Sequence, residues 1–94
     1  MDRVAAIRSR LEEALAPDRL EIRDDSVQHA GHPGAASGGG HFTVLIVADR
    51  FSGLSALERH RLVYASLGDL MPEEIHALSM QALTPEESIR PAGG

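Results

Sequence analysis

The sequence predicts an α/β fold of element order α-β-β-α-β, in which three strands form a small mixed sheet and the helices pack on one face. Three patterns support this prediction: apolar residues at helical spacing in two segments, alternation of apolar and polar residues in two others, and one almost unbroken β-branched run. A chain of 94 residues can build one modest core but not two. We therefore expect a single domain over residues 1–90 and a disordered tail over 91–94.

The first fifteen residues predict an amphipathic helix, because apolar residues recur at helical spacing through Leu15 and Pro17 then stops the helix. Residues 19–24 alternate, with Leu20 and Ile22 on one side and charged residues on the other. This alternation predicts a half-buried first strand.

Residues 26–40 predict a long loop, since they contain five glycines and two histidines and little that can be buried. A loop of this length in so small a domain is usually functional or disordered. Residues 41–48 follow as a short run that is apolar on both sides, which predicts the central strand of the sheet.

A second helix is predicted from a capping box, formed by Ser55 and Glu58, to about Met71, just before Pro72. One apolar stripe of this helix includes His60, which we expect to be a buried, hydrogen-bonded core histidine. The stripe contains Ala56, His60, Val63, Leu67 and Leu70.

Residues 75–82 predict the third strand, in which His76 alternates in phase with Leu78 and Met80. Thr84 and Glu87 then predict a last helical turn. The Gly-rich loop should pair the first two strands antiparallel, and the second helix is a crossover that makes the third strand parallel to the second.

Bulk composition excludes several classes of protein. The net charge of −5, with nine arginines against fourteen acidic residues, disfavours a protein whose main role is to coat nucleic acid or an anionic membrane. The chain contains no cysteine and hence no thiolate of its own for a disulfide, a metal site or a nucleophile. No apolar run is long enough to span a bilayer, and no leader pattern precedes the first helix, so we expect a cytoplasmic protein. The chain has no Gly-rich phosphate loop and no serine in a nucleophile-elbow context, and its carboxylates are scattered over helix faces and caps, so we expect it not to be an enzyme.

Histidine is the residue type that suggests chemistry. His29 and His32 lie in the predicted loop, His41 opens the central strand, and His76 lies at the start of the third strand. Each has an ordinary structural interpretation, and for His76 the ligand and structural roles are about equally favoured. The topology can bring His29 and His76 to one sheet edge, where two neutral imidazoles would form half of a site for zinc, iron or a cluster. Any iron–sulfur cluster would need thiolates from another molecule.

Several short elements resemble the BolA family in their order and spacing, and the resemblance covers nearly the whole chain, from the first helix to Thr84. The resemblance implies a fold similar to a class II KH domain. The elements are Asp24-Asp25-Ser26, His29-Ala30-Gly31-His32, residues 41–47, Phe51-Ser52-Gly53, residues 59–64, residues 75–80 and Thr84-Pro85.

The resemblance also implies a partner, because family members form heterodimers with monothiol glutaredoxins that bridge a 2Fe–2S cluster. In such a pair a glutaredoxin cysteine and glutathione supply the thiolates, and this chain would supply His76 and His29, with His32 or His41 as substitutes. Alone, the chain is expected to be a monomer or weak homodimer without cofactor. Gly39-Gly40 replace the Glu-Thr frequent in the family, which affects the expected loop geometry.

Two other functions remain open at this point. The family also includes transcription regulators, and its pattern would place Arg59 and Arg61 in a DNA-binding helical segment. Residues two apart point about 200° apart on a helix, so these arginines do not form one basic stripe. The Gly-x-x-Gly clamp of nucleic-acid-binding KH modules is also missing where such a clamp would be expected. A salt bridge for one arginine and a partner contact for the other are at least as well supported. The third function is a free-standing zinc or haem module that uses the loop histidines.

Overall fold

The computed structural model describes residues 2–26, 40–71 and 75–89, and the side chain of His76 is not described. The element order α-β-β-α-β is confirmed, and a short helical turn follows it. Within the described ranges no helix has the length and hydrophobicity needed to cross a membrane. The elements are α1 (Arg3–Leu15), β1 (Arg19–Asp24), β2 (Gly40–Val47), α2 (Ala56–Leu67), β3 (Ile75–Leu83) and α3 (Pro85–Ser88).

The three strands form one sheet in the order β1-β2-β3, so β2 is central as its apolar run predicted. β1 pairs with β2 antiparallel and β3 pairs with β2 parallel. Phe42, Val44 and Ile46 alternate along the inner side of β2 and are buried. They share one core with residues of both long helices, which confirms that the helices cover a single face; the helical members are Ile7, Leu11, Leu15, Val63 and Leu67.

The helix boundaries follow from local capping. The Ser55–Glu58 capping box is present at the start of α2, and Thr84 and Glu87 form a second box at the start of α3. α2 ends at Leu67 instead of continuing to Met71. Gly68 has a φ of 53°, which few other residues adopt easily, and the chain then forms a tight turn over residues 68–70.

The predicted buried stripe of α2 is confirmed at Val63, Leu67 and Leu70, but Ala56 and His60 at its start are exposed, so the prediction that His60 is a core residue is wrong. His60 is exposed, as is Leu57, whereas Val63 and Leu67 are fully buried. The physical reason is Arg59, whose side chain is only 14% exposed and lies on the inward side of the helix. Hydropathy assigns an arginine to solvent, so the position of Arg59 could not be inferred from the apolar pattern.

Arg59 is held by a set of contacts that we call the Arg59 clamp. Its Nε donates to the Leu54 carbonyl at 3.0 Å, and Nη1 donates to the Ala82 carbonyl at 2.9 Å. Its two terminal nitrogens donate to the Glu87 carboxylate at 2.6 and 3.2 Å. The guanidinium carbon also lies 6.0 Å from the centre of the Phe51 ring, at the outer limit of a cation–π contact. The clamp therefore joins α2, the end of β3 and α3.

Gly40 leaves space that an aromatic ring fills. A Cβ at this position would lie 2.5 Å from Phe42 Cε2 and 2.7 Å from Phe42 Cζ. Because Phe42 is only 2% exposed, its ring has little room to move aside. The absence of a side chain at position 40 is therefore a packing requirement in this chain.

Replacement of Glu87 by Gln should lower the melting temperature at neutral pH. The Arg59 hydrogen bonds lower the pKa of the Glu87 carboxyl from 4.5 to about 2. A carboxyl whose pKa is depressed by folding stabilises the protein above its unfolded pKa and loses that contribution as the pH falls towards the folded value. The difference in melting temperature between wild type and Glu87→Gln should therefore have its full size above pH 4.5 and shrink as the pH falls towards 2. Thermal unfolding across this range measures it, with the exposed Glu13→Gln as control. A difference in melting temperature that does not change with pH would contradict stabilisation by the Arg59–Glu87 ion pair.

Replacement of Gly40 by Ala should destabilise the fold by about 1–3 kcal/mol, the usual cost of overpacking. Urea unfolding measures the change, and Ser79→Ala, on an exposed strand position, is the matched control. Because the clash is with the Phe42 ring, Gly40→Ala should cost less in a Phe42→Leu background. Additive effects of the two substitutions would show that the ring is not responsible.

Candidate metal-ligand site at one end of the sheet

Two of the candidate histidines, His41 of β2 and His76 of β3, lie at adjacent backbone positions on neighbouring strands. Gly40 of β2 pairs with Ile75 of β3, but His41 pairs with Ala77, so His76 is an extra residue without a register partner. Such a β-bulge bends the strand and is frequent beside functional sites. The predicted alternation of β3 is interrupted at this point, because Ile75 and Leu78 both pack on the core although they are three residues apart.

The backbone N–H and carbonyl of His41 are both hydrogen-bonded to residues that directly follow β1. The His41 N–H donates to Ser26 Oγ at 3.0 Å, and the His41 carbonyl accepts from the Asp25 N–H at 2.7 Å. The imidazole of His41 lies on the outer side of the sheet with Thr43 and is half-buried. The strand residues on either side of segment 27–39 are thus held together by hydrogen bonds.

A hydrogen-bonded carboxylate reinforces this end of the sheet. Arg23 Nε donates to Asp25 Oδ1 at 2.6 Å, and the Thr43 hydroxyl donates to Asp25 Oδ2, so both oxygens are used. Ser26 donates from its side chain and from its N–H to Asp24, and these bonds hold the pKa of the Asp24 carboxyl below its usual value. No pattern in the sequence predicted these hydrogen bonds, although an Asp two positions before a Ser is a recognisable turn signal.

The remaining metal candidates are not tested by the structure. His29 and His32 lie outside the described residues, and the backbone but not the side chain of His76 is described. Among the described side chains, no group of three or more His, Asp or Glu residues is arranged to hold a metal ion. The structure thus brings His41 and His76 together at the level of the backbone and leaves the loop histidines as predictions.

The two arginines proposed for DNA binding occupy different environments. Arg59 is committed to the Arg59 clamp and is mostly buried, whereas Arg61 is exposed. The two side chains therefore do not form one basic stripe, as helix geometry predicted. A cavity of about 360 Å³ lies beside Arg59, lined also by His60, Gln81 and Glu87. Its only carboxylate, Glu87, is bound by Arg59, so the described lining offers no carboxylate that is free to act as a base.

Comparison with known proteins identifies the family. The family described as BolA-like protein matches residues 11–87. Human BolA-like protein 1 is 51% identical over 83 residues, which make up 88% of this chain and 58% of the human protein. The chain therefore spans less than two thirds of that relative. The DNA-binding transcriptional regulator BolA of Escherichia coli (strain K12) is 39% identical over 85 residues, 86% of this chain and 78% of the bacterial protein.

Solved structures agree with this result. The BolA domain of SufE1 from Arabidopsis thaliana has a TM-score of 0.79 and 46% sequence identity, over 93% of this chain and 96% of that domain. In this chain that fold is the three-stranded mixed sheet with the helices on one face. By its sequence and its fold, the chain belongs to the BolA-like protein family.

Proposed function

We propose that this chain is a non-enzymatic adaptor that pairs with a cytoplasmic monothiol glutaredoxin and completes a bridging 2Fe–2S cluster, for iron–sulfur cluster trafficking or for iron and redox sensing. The observation that supports it most is the position of His76 at a β-bulge beside His41, in a chain without cysteine. Such a chain can offer imidazoles to a cluster but must receive thiolates from its partner.

The imidazole ligands of this chain are suited to one half of a shared cluster site. Two histidines can replace two cysteines on one iron of a 2Fe–2S centre, as they do in Rieske proteins. We assign His76 and His29 to these positions, with His32 and His41 as substitutes, and the glutaredoxin cysteine and glutathione to the opposite side. When bound, the cluster supplies transferable iron and sulfide. The residues of this chain position the imidazoles, and the bonds to Asp25 and Ser26 hold the strand position of His41.

Loss of His76 should destabilise the shared cluster. We expect the His76→Ala complex with glutaredoxin and glutathione to lose its cluster at least about tenfold faster than wild type, since even outer partners of metal ligands contribute ten- to a hundredfold. Visible circular dichroism after reconstitution with iron and sulfide measures both the site and its lifetime. His29→Ala should act similarly if it is the second ligand.

The exposed His60 provides a matched control, because it lies on α2 and not at the end of the sheet. At saturating glutaredoxin, His60→Ala should leave the spectrum and the lifetime unchanged. Identical spectra and lifetimes for wild type and His76→Ala would overturn the assignment of His76.

DNA binding is the second candidate, and the similarity to the regulator of Escherichia coli favours it. In this chain Arg61 is the arginine available for such contacts, because Arg59 is committed to the Arg59 clamp. A regulator should bind duplex DNA with an affinity that falls as salt rises. Arg61→Ala should then lower the salt slope by about 1. Fluorescence anisotropy across a salt series tests this, and a flat response for wild type would remove DNA binding as a function.

A further inference from the structure

The outward side of α2 carries an apolar pair that the fold does not use. Leu57 is 59% exposed and Tyr64 is 40% exposed. In the described part of the chain, the only other exposed large hydrophobic residue is Ile89, outside this helix. Leu57 and Tyr64 are separated by seven positions, about two helical turns, so they lie on one side of α2. Isolated exposed apolar residues are ordinary, but these two share one helix face and can be covered together by one partner surface.

Arg61 lies between them, four residues after Leu57 and three before Tyr64. Its side chain is exposed and makes no hydrogen bond or ion pair within residues 2–26, 40–71 and 75–89. Most other arginines in these ranges do pair with a carboxylate. The paired arginines are Arg8, Arg10, Arg19, Arg23 and Arg59.

The charge of this face is opposite to that of the whole chain. The net charge is −5, yet residues 59–68 contain no Asp or Glu. The one carboxylate on α2 is Glu58, which accepts the Ser55 N–H in the capping box. A guanidinium without a carboxylate, in a chain with an excess of carboxylates, is complementary to an acidic group on another molecule.

We propose that Leu57, Arg61 and Tyr64, which we call the α2 row, form the docking surface for the partner protein. Its complement on the partner is a carboxylate flanked by apolar side chains. This inference rests on the proposed function, since that function identifies the partner as a monothiol glutaredoxin. Arg and Tyr are enriched among the residues that contribute most to protein interfaces, and a planar guanidinium binds a carboxylate in one orientation.

A protein partner explains this surface better than a nucleic acid. Duplex DNA is bound through several cations at once, and α2 offers only Arg61 outwards because Arg59 is clamped inwards. Apolar side chains on both sides of the cation suit a partly dry contact, whereas contacts to phosphates remain wet and polar.

The test is calorimetric titration of the chain with monothiol glutaredoxin in the absence of iron and sulfide, so that docking is measured without the cluster. Arg61→Glu and Tyr64→Ala should each weaken the affinity by about tenfold or more, and Leu57→Ala by less. Arg50→Glu is the matched control, because Arg50 is also exposed and has no carboxylate partner in the described residues; its affinity should stay within about twofold of wild type. Thermal unfolding confirms that each variant is folded.

The outcomes separate this inference from the proposed function. If wild type binds and the α2-row variants bind equally well, the docking surface is wrong while the pairing stands. If wild type does not bind glutaredoxin, both are wrong. If Arg61→Glu weakens binding to duplex DNA but not to glutaredoxin, the row is a nucleic-acid contact and the inference is overturned.

Discussion

Burial of the inner side of β2 beneath α1 and α2 is the interaction on which the other elements depend. Phe42, Val44 and Ile46 are each at most 2% exposed, and burial of one such side chain contributes about 1.5–3 kcal/mol. Because β2 is also the strand with which both other strands pair, its position determines theirs. The end of the sheet that carries His41 and the bulge at His76 is therefore placed by packing on the opposite, inner face.

Local rules were sufficient for most of the fold and failed where a tertiary contact opposes them. The alternation of residues 19–24 gave β1 its observed bounds, and both capping boxes were readable because a cap involves residues only three apart. The inward position of Arg59, in place of His60, could not be read from the sequence. It depends on carbonyl and carboxylate partners of Arg59 that lie at Leu54, Ala82 and Glu87, and no periodicity records such partners.

The candidate site, like the fold, could be predicted from the sequence only in part. The sequence supplied the histidines, and the resemblance ranked them, but neither contained the bulge that makes His76 the extra residue opposite Gly40 and His41. A bulge is a property of two paired strands and is hard to recognise from the sequence of either strand alone. His41 accepts a hydrogen bond from the Asp25 N–H and donates one to Ser26 Oγ, and these bonds join residues far apart in sequence that only strand pairing brings together.

The Arg59 clamp also bears on self-association. β3 is an edge strand, and the Leu83 carbonyl accepts from Ala48 on the β2 side, so the Ala82 carbonyl faces the open edge. Arg59 Nη1 donates a hydrogen bond to that carbonyl. An exposed strand edge is a template on which a strand of another molecule can add, and natural sheets block such edges with charged side chains. By binding an acceptor that an added strand would require, Arg59 blocks strand addition at this end of the β3 edge.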